Sequence, residues 1–297
     1  MKTQKLILLA AFFAVSTVVS AQDYAFKVLA NKGTNEIKSG GAWIPLKTGA
    51  SLRKGDEVKL GDNAYIGLVH STGKPVEVKE AGVHPVSELE SRVKGGSSVL
   101  NKYTDFILSS NTAEAKRNRL SATGAVHRDI TASAPIKLIL PDNQNAGIFN
   151  KQAVIKWEAG NVAGPYIVTL KNMFEDILVK AETRENSYEI DLSNEKLANE
   201  NAILIEISSK ADPKLVSKQH LIKKLSPAEM DKITTALKEI KGDVAEETAV
   251  NNAVLAGFYE TNNLLIDAIY AYDQALKLEP QAYTESYEEF LSRNNLK

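Results

Sequence analysis

The chain of 297 residues has no cysteine, so it can form neither a disulfide nor a thiolate metal site, and no lipid can be attached through a leader cysteine. Its stability has to come from apolar cores, and a chain this long suits two or three of them. Histidine is nearly as scarce. His70, His84, His127 and His220 stand far apart in sequence, with none of the close spacing that a metal site uses, and no metal or other cofactor is expected. Neither sign of charge prevails: a formal net charge of −1 gives no basic field to recruit nucleic acid or anionic lipid. The short basic stretch of Lys214, Lys218, Lys223 and Lys224 is too small for a nucleic-acid surface. Long apolar runs are absent with one exception. Leu6 to Val19 is apolar almost throughout, follows Lys2 and Lys5, and ends in Ser20 and Ala21. It falls short of the roughly 20 residues a membrane span needs and reads as a secretory signal over residues 1–21, cleaved after Ala21. Loss of Lys2 and Lys5 takes the net charge from −1 to −3. The mature chain is expected outside the cytoplasm, in a Gram-negative periplasm or otherwise secreted, with no transmembrane segment.

Catalytic signatures are also wanting. His127-Arg128-Asp129 spells a kinase catalytic-loop tripeptide, but no glycine-rich ATP loop, strand lysine motif or Asp-Phe-Gly accompanies it. Gly-x-Ser-x-Gly does not occur. The acidic pairs Glu246-Glu247 and Glu288-Glu289 sit on predicted helices, where neighbouring side chains diverge. Gly95-Gly96-Ser97-Ser98 reads as a turn, not a phosphate cradle.

What is present is architecture. An apolar fraction of 43% and a charged fraction of 25% are those of an ordinary folded protein. Between Trp43 and Pro85, short apolar runs alternate with polar residues, and Gly49, Gly55, Gly61, Gly67 and Gly73 interrupt them evenly, as turns between short strands would. After Phe26 to Leu29, strands are expected at Trp43 to Leu46, Glu57 to Leu60, Ala64 to His70, Pro75 to Lys79 and Val83 to Val86. Ser98 to Ser109 carries helical apolar spacing, and Asn111 to Ser133 reads as a polar linker. From Pro135 to Leu225, seven short apolar runs separated by turn residues predict an antiparallel sandwich. They are Ile136 to Leu140, Ala153 to Trp157, Tyr166 to Lys171, Asp176 to Ala181, Tyr188 to Leu192, Ala202 to Ser208 and Leu215 to Ile222. Ser226-Pro227-Ala228-Glu229 is a capping box that opens four helices, Pro227 to Ile240, Ala245 to Glu260, Leu264 to Leu278 and Ala282 to Arg293.

Three resemblances follow. The run G-x-W-x-P-L-x-x-G-x-x-L-x-x-G-D-x-V-x-L-G-D-N-A-Y-I-x-L, from Gly41 to Leu68, resembles the FecR-type periplasmic domain, over roughly residues 25–88. That resemblance implies a small β module with an extracytoplasmic interaction role. The transmembrane helix and sigma-factor segment of the sensor proteins have no counterpart here. Pro141, Ile155-Lys156-Trp157 and Tyr166 to Leu170 resemble the start of an immunoglobulin-like or fibronectin-type-III domain, which implies a tryptophan packed between two sheets. Leu255, Ala256, Tyr259, Ala268, Tyr272, Ala275 and Pro280 sit at the spacings of a tetratricopeptide repeat over residues 249–282, although Asn252 stands where that repeat usually has tryptophan. The large-large-small alternation lets two antiparallel helices approach closely.

The expected fold class is multi-domain β plus α. A small β module over 22–97 leads through a helix and linker over 98–134 to an antiparallel β-sandwich over 135–225 and helical hairpins over 226–297. The expected function is that of a non-catalytic envelope protein holding protein partners through its β modules and helical tail. Its partner-binding candidates are Trp43 and Tyr65 on the β module, which as large strand aromatics of a small domain also read as core, and Glu260 and Tyr270 on the helices. Two alternatives stand beside it: a ligand-sensing or glycan-binding accessory protein, and a hydrolase whose site is dispersed over the modules.

Overall fold

The computed structural model describes residues 24–115, 117 and 134–297. The expected signal, and His127 with most of the linker around it, lie outside the described residues. In chain order the first strands are β1 (Phe26–Lys32), β2 (Asn35–Lys38), β3 (Trp43–Pro45), β4 (Ser51–Leu52), β5 (Glu57–Leu60), β6 (Tyr65–His70), β7 (Pro75–Val78) and β8 (Gly82–Pro85). They form two antiparallel four-stranded sheets, ordered β4-β1-β6-β7 and β3-β2-β5-β8. Phe26, Val28, Leu52, Val58, Ile66 and Leu68 are wholly buried between them. Two helices follow, α1 (Val86–Arg92) and α2 (Val99–Ser110).

The sandwich comprises β9 (Lys137–Leu138), β10 (Gly147–Ile148), β11 (Gln152–Glu158), β12 (Tyr166–Lys171), β13 (Ile177–Thr183), β14 (Ser187–Asp191), β15 (Ala202–Ser209) and β16 (His220–Lys224), with one helical turn, α3 (Glu195–Ala198). Three strands, β14-β11-β9, face five, β10-β16-β15-β12-β13. Every strand pairing is antiparallel except β10 with β16, which is parallel, as is the isolated bridge between Ile136 and Ser217. The last predicted strand begins at His220, five residues later than expected, although Val216 and Ser217 make isolated bridges. Trp157 packs edge-on against Tyr166 at 5.4 Å in the core between the sheets.

Four helices close the chain: α4 (Pro227–Lys238), α5 (Ala249–Thr261), α6 (Leu265–Leu278) and α7 (Pro280–Arg293). The predicted capping box is formed, with Ser226 and Glu229 satisfying each other's backbone amides. No helix among the described residues is long and apolar enough to cross a membrane. The chain is thus a β-plus-α protein of several parts, with a small β module, a sandwich and C-terminal helical hairpins.

The helices are not an appendage to these parts. Helix α5 is apolar almost all round and buries Ala249, Val250, Ala253, Val254, Ala256, Phe258 and Tyr259, as a helix does when it is enclosed on every side. Its core also takes in Leu29, Ala30, Tyr65 and Val69 of the first module, Leu100, Tyr103 and Ile107 of α2, and Val154 of the sandwich. Ile266 of α6 belongs in turn to the sandwich core. This placement explains β6, in which all six residues are buried. Ile66 and Leu68 point between the module's two sheets, while Tyr65 and Val69 point at the helices, so the strand reads as an unbroken apolar run.

The even glycines divide into different roles. Gly49 and Gly73 have φ of +85° and +90°, as turn glycines should. Gly67 lies inside β6 and is needed for space. A Cβ there would sit 2.6 Å from the Tyr283 hydroxyl of α7 and 3.1 Å from that of Tyr65. Gly67→Ala is expected to cost about 1–3 kcal/mol by overpacking a closed joint, read as a lower urea midpoint with unchanged slope.

Candidate interaction surfaces

The four residues singled out from sequence occupy four separate places. Trp43 lies on the outward face of the β3-β2-β5-β8 sheet, in one row with Lys38, Glu57 and Pro85. The Lys38 and Lys59 ammoniums stand 5.6 and 5.7 Å from its ring centroid, and are themselves paired with Glu57 at 3.6 Å and Glu36 at 3.0 Å. Its aromatic face is therefore already covered by cations. Tyr65 is 1% exposed. Its hydroxyl donates to Glu77 Oε1 at 2.8 Å and meets the Tyr283 hydroxyl at 2.8 Å, and Glu77 Oε1 also accepts the Val250 amide at 3.1 Å. Burial holds both phenols well above the ordinary tyrosine value, so this network stays neutral at the hydroxyls.

Glu260 closes α5 inside the helical core. Arg293 Nε and Nη2 donate to its two carboxylate oxygens at 2.5 and 2.6 Å, and Asn294 Nδ2 adds a third bond at 2.8 Å. Arg293 Nη1 reaches Asn111, just past α2, at 3.0 Å. Burial works against the guanidinium's charge, but the bonds to Glu260 outweigh it and hold Arg293 above its ordinary value. Both side chains are nearly inaccessible, at 4% for Glu260 and 8% for Arg293. Tyr270 is partly buried on α6, where burial first and the nearby Glu189 charge second push its hydroxyl up. The structure thus brings none of the four together. It commits the polar atoms of Tyr65 and Glu260 to internal partners.

An outward surface that sequence reasoning passed over lies at the turn between β12 and β13. Asn172 Oδ1 accepts the amides of Phe174 at 2.9 Å and Asp176 at 3.0 Å, and the Asn172 amide donates to the Asp176 carbonyl at 3.0 Å. Glu175 takes the left-handed conformation at φ +69° and is tied to Lys171 at 3.0 Å and to Gln219 Nε2 at 3.2 Å. The bond from Lys171, then that from Gln219, keep its carboxyl below the usual range. The loop is thus fixed by its own hydrogen bonds. It holds out Phe174 at 86% exposure, Met173 at 56% and Ile177 at 58%. Strand β13 is also the edge of its sheet, with β12 as its one strand partner. The sequence signal was present: two large apolar residues between Asn172 and Asp176, where turn chemistry calls for polar ones.

Among the described residues no three histidine, cysteine, aspartate or glutamate side chains converge to hold a metal ion. Comparison with protein-family models and with curated proteins returns no match for this chain.

Proposed function

We propose that this is a non-catalytic envelope protein that holds a protein partner through the outward surfaces of its β modules, with the Met173–Ile177 loop as the main anchor. The observation that supports it is a rigid loop presenting a phenylalanine and a methionine to solvent. An aromatic side chain has few rotatable bonds and binds with little entropy loss, and aromatic and methionine side chains are both enriched at protein interfaces. The placement on the β modules, in preference to the helical tail, is supported by the burial of α5 on all sides and by the internal pairing of Glu260. A glycan-stacking role for Trp43 draws less support, because two lysines already cover its ring.

The test is site-specific photocrosslinking in intact cells. A crosslinkable residue at Phe174 is expected to give one discrete protein adduct, and the same probe at Glu288 on α7 to give none. The double variant Met173→Ser/Phe174→Ser should keep the unfolding midpoint and abolish retention of that partner. Adducts at Glu288 but not at Phe174 would overturn the reading.

A further inference from the structure

Where the first strand of the sandwich leaves one sheet for the other, it leaves a gap. A cavity of about 370 Å³ opens there, floored by Ile136, Leu138, Leu140 and the C-terminal Leu296. Leu296 is held against it by a turn past α7, with its amide bonded to the Leu291 carbonyl at 2.9 Å and Asn295 in the left-handed conformation. The floor is aliphatic and the rim is cationic. Lys137 and Lys218 both border the cavity, and neither forms an ion pair with another described residue. His220 also faces it. Burial, reinforced by Lys218, holds that imidazole below its ordinary value against a bond to the Pro141 backbone, so at neutral pH it is an uncharged polar group. Among the described residues at the rim the one acid is Asp142, which accepts the Asn145 amide at 3.1 Å and caps a short helical turn.

An apolar cavity with a few convergent polar groups is the general form of a small-molecule site. Here the polar groups select for charge: two ammoniums at the mouth with no ion-pair partner among the described residues favour an anion, and the aliphatic floor favours a hydrocarbon chain. We propose that this cavity binds a single-chain amphiphile with an anionic head group, its tail against Ile136, Leu138, Leu140 and Leu296 and its head between Lys137 and Lys218. No residue of the Met173–Ile177 loop lines the cavity among the described residues, and the proposal does not rest on a protein partner.

The fold supplies a reporter. Leu138 is the cross-strand partner of Trp157, which is 2% exposed. Trp43→Phe on the outer sheet face leaves Trp157 as the sole tryptophan. In the full mature chain carrying that substitution, decanoate below its micellar concentration should change Trp157 fluorescence saturably. Decyltrimethylammonium should bind at least tenfold more weakly. Adding Lys137→Gln and Lys218→Gln, both on exposed side chains, should weaken decanoate at least tenfold and leave the unfolding midpoint where it was. Absence of saturation, equal binding of the cationic chain, or indifference to the lysine substitutions would each overturn the proposal.

Discussion

Replacing Glu260 by alanine is expected to cost about 3–5 kcal/mol, among the larger losses available to a single substitution here. The reason is asymmetric. Glu260 and Arg293 are both out of water, and the guanidinium keeps its charge whether or not its partner is there. Without the carboxylate it retains the bond to Asn111 and contacts with Phe106 and Phe290, whose centroids lie 5.7 and 5.8 Å away, and these do not replace a bidentate ion pair. The mirror substitution Arg293→Ala should cost a similar amount. The double variant Glu260→Leu/Arg293→Met should be milder than either single one, because no buried charge is left alone. Urea titration of the four proteins decides it; additive losses would show that the pair acts through size and not through charge.

The second large effect concerns pH. Asp267 lies in the first turn of α6, wholly buried, and accepts the backbone amides of Phe149 at 2.9 Å and Asn150 at 2.7 Å, which fastens the sandwich to the helices. Burial raises its pKa from 3.8 to about 6, against the opposing pull of those bonds. A carboxyl whose folded pKa lies above its unfolded one is protonated first in the folded state. Its charged form therefore burdens the fold fully above pH 6, and the burden is relieved as pH falls through the window from about 6 to about 4. The two-unit difference corresponds to about 3 kcal/mol over the whole window, of which about 1 kcal/mol falls between pH 7 and pH 5. Other carboxylates titrate too, so the comparison is with Asp267→Asn. The stability of the native chain relative to that variant should rise by about 1 kcal/mol from pH 7 to pH 5. A difference that is flat or falls over that range would show that the two amide bonds keep the carboxylate at or below its ordinary pKa.

Local chemistry was legible in the sequence where it is self-contained. Ser226 to Glu229 spells its capping box, and Tyr166 to Lys171 spells a strand with the observed limits. Five short elements were missed, β2, β4, β10, α1 and α3, and two of them show why. In β2, Asn35-Glu36-Ile37-Lys38 has one large apolar residue, too few to show a period of two. Helix α1 begins at Val86, which continues an apolar run and reads as the end of a strand. Gly67 looked like its evenly spaced neighbours because a sequence does not distinguish a glycine used for a turn from one used for close approach. The larger omission was the joint role of the helices. A lone helical repeat was seen to need partners, but nothing local shows that α2, β6 and β11 supply them across long stretches of chain. Glu260 did carry a sign of its fate. An acid in a helix apolar on every side has to be paired, and Arg293 lies 33 positions away, too far for any local pattern to connect them.

The central structural claim is that the C-terminal helices share a core with both β modules, and the proposal that binding falls to the β surfaces rests on it. Equilibrium urea unfolding tests it most directly, followed by Trp157 fluorescence for the sandwich in Trp43→Phe protein and by far-ultraviolet circular dichroism for the helices. The expected result is one transition with coincident midpoints. Loss of the helices at a lower urea concentration, with the Trp157 signal still native, would contradict it.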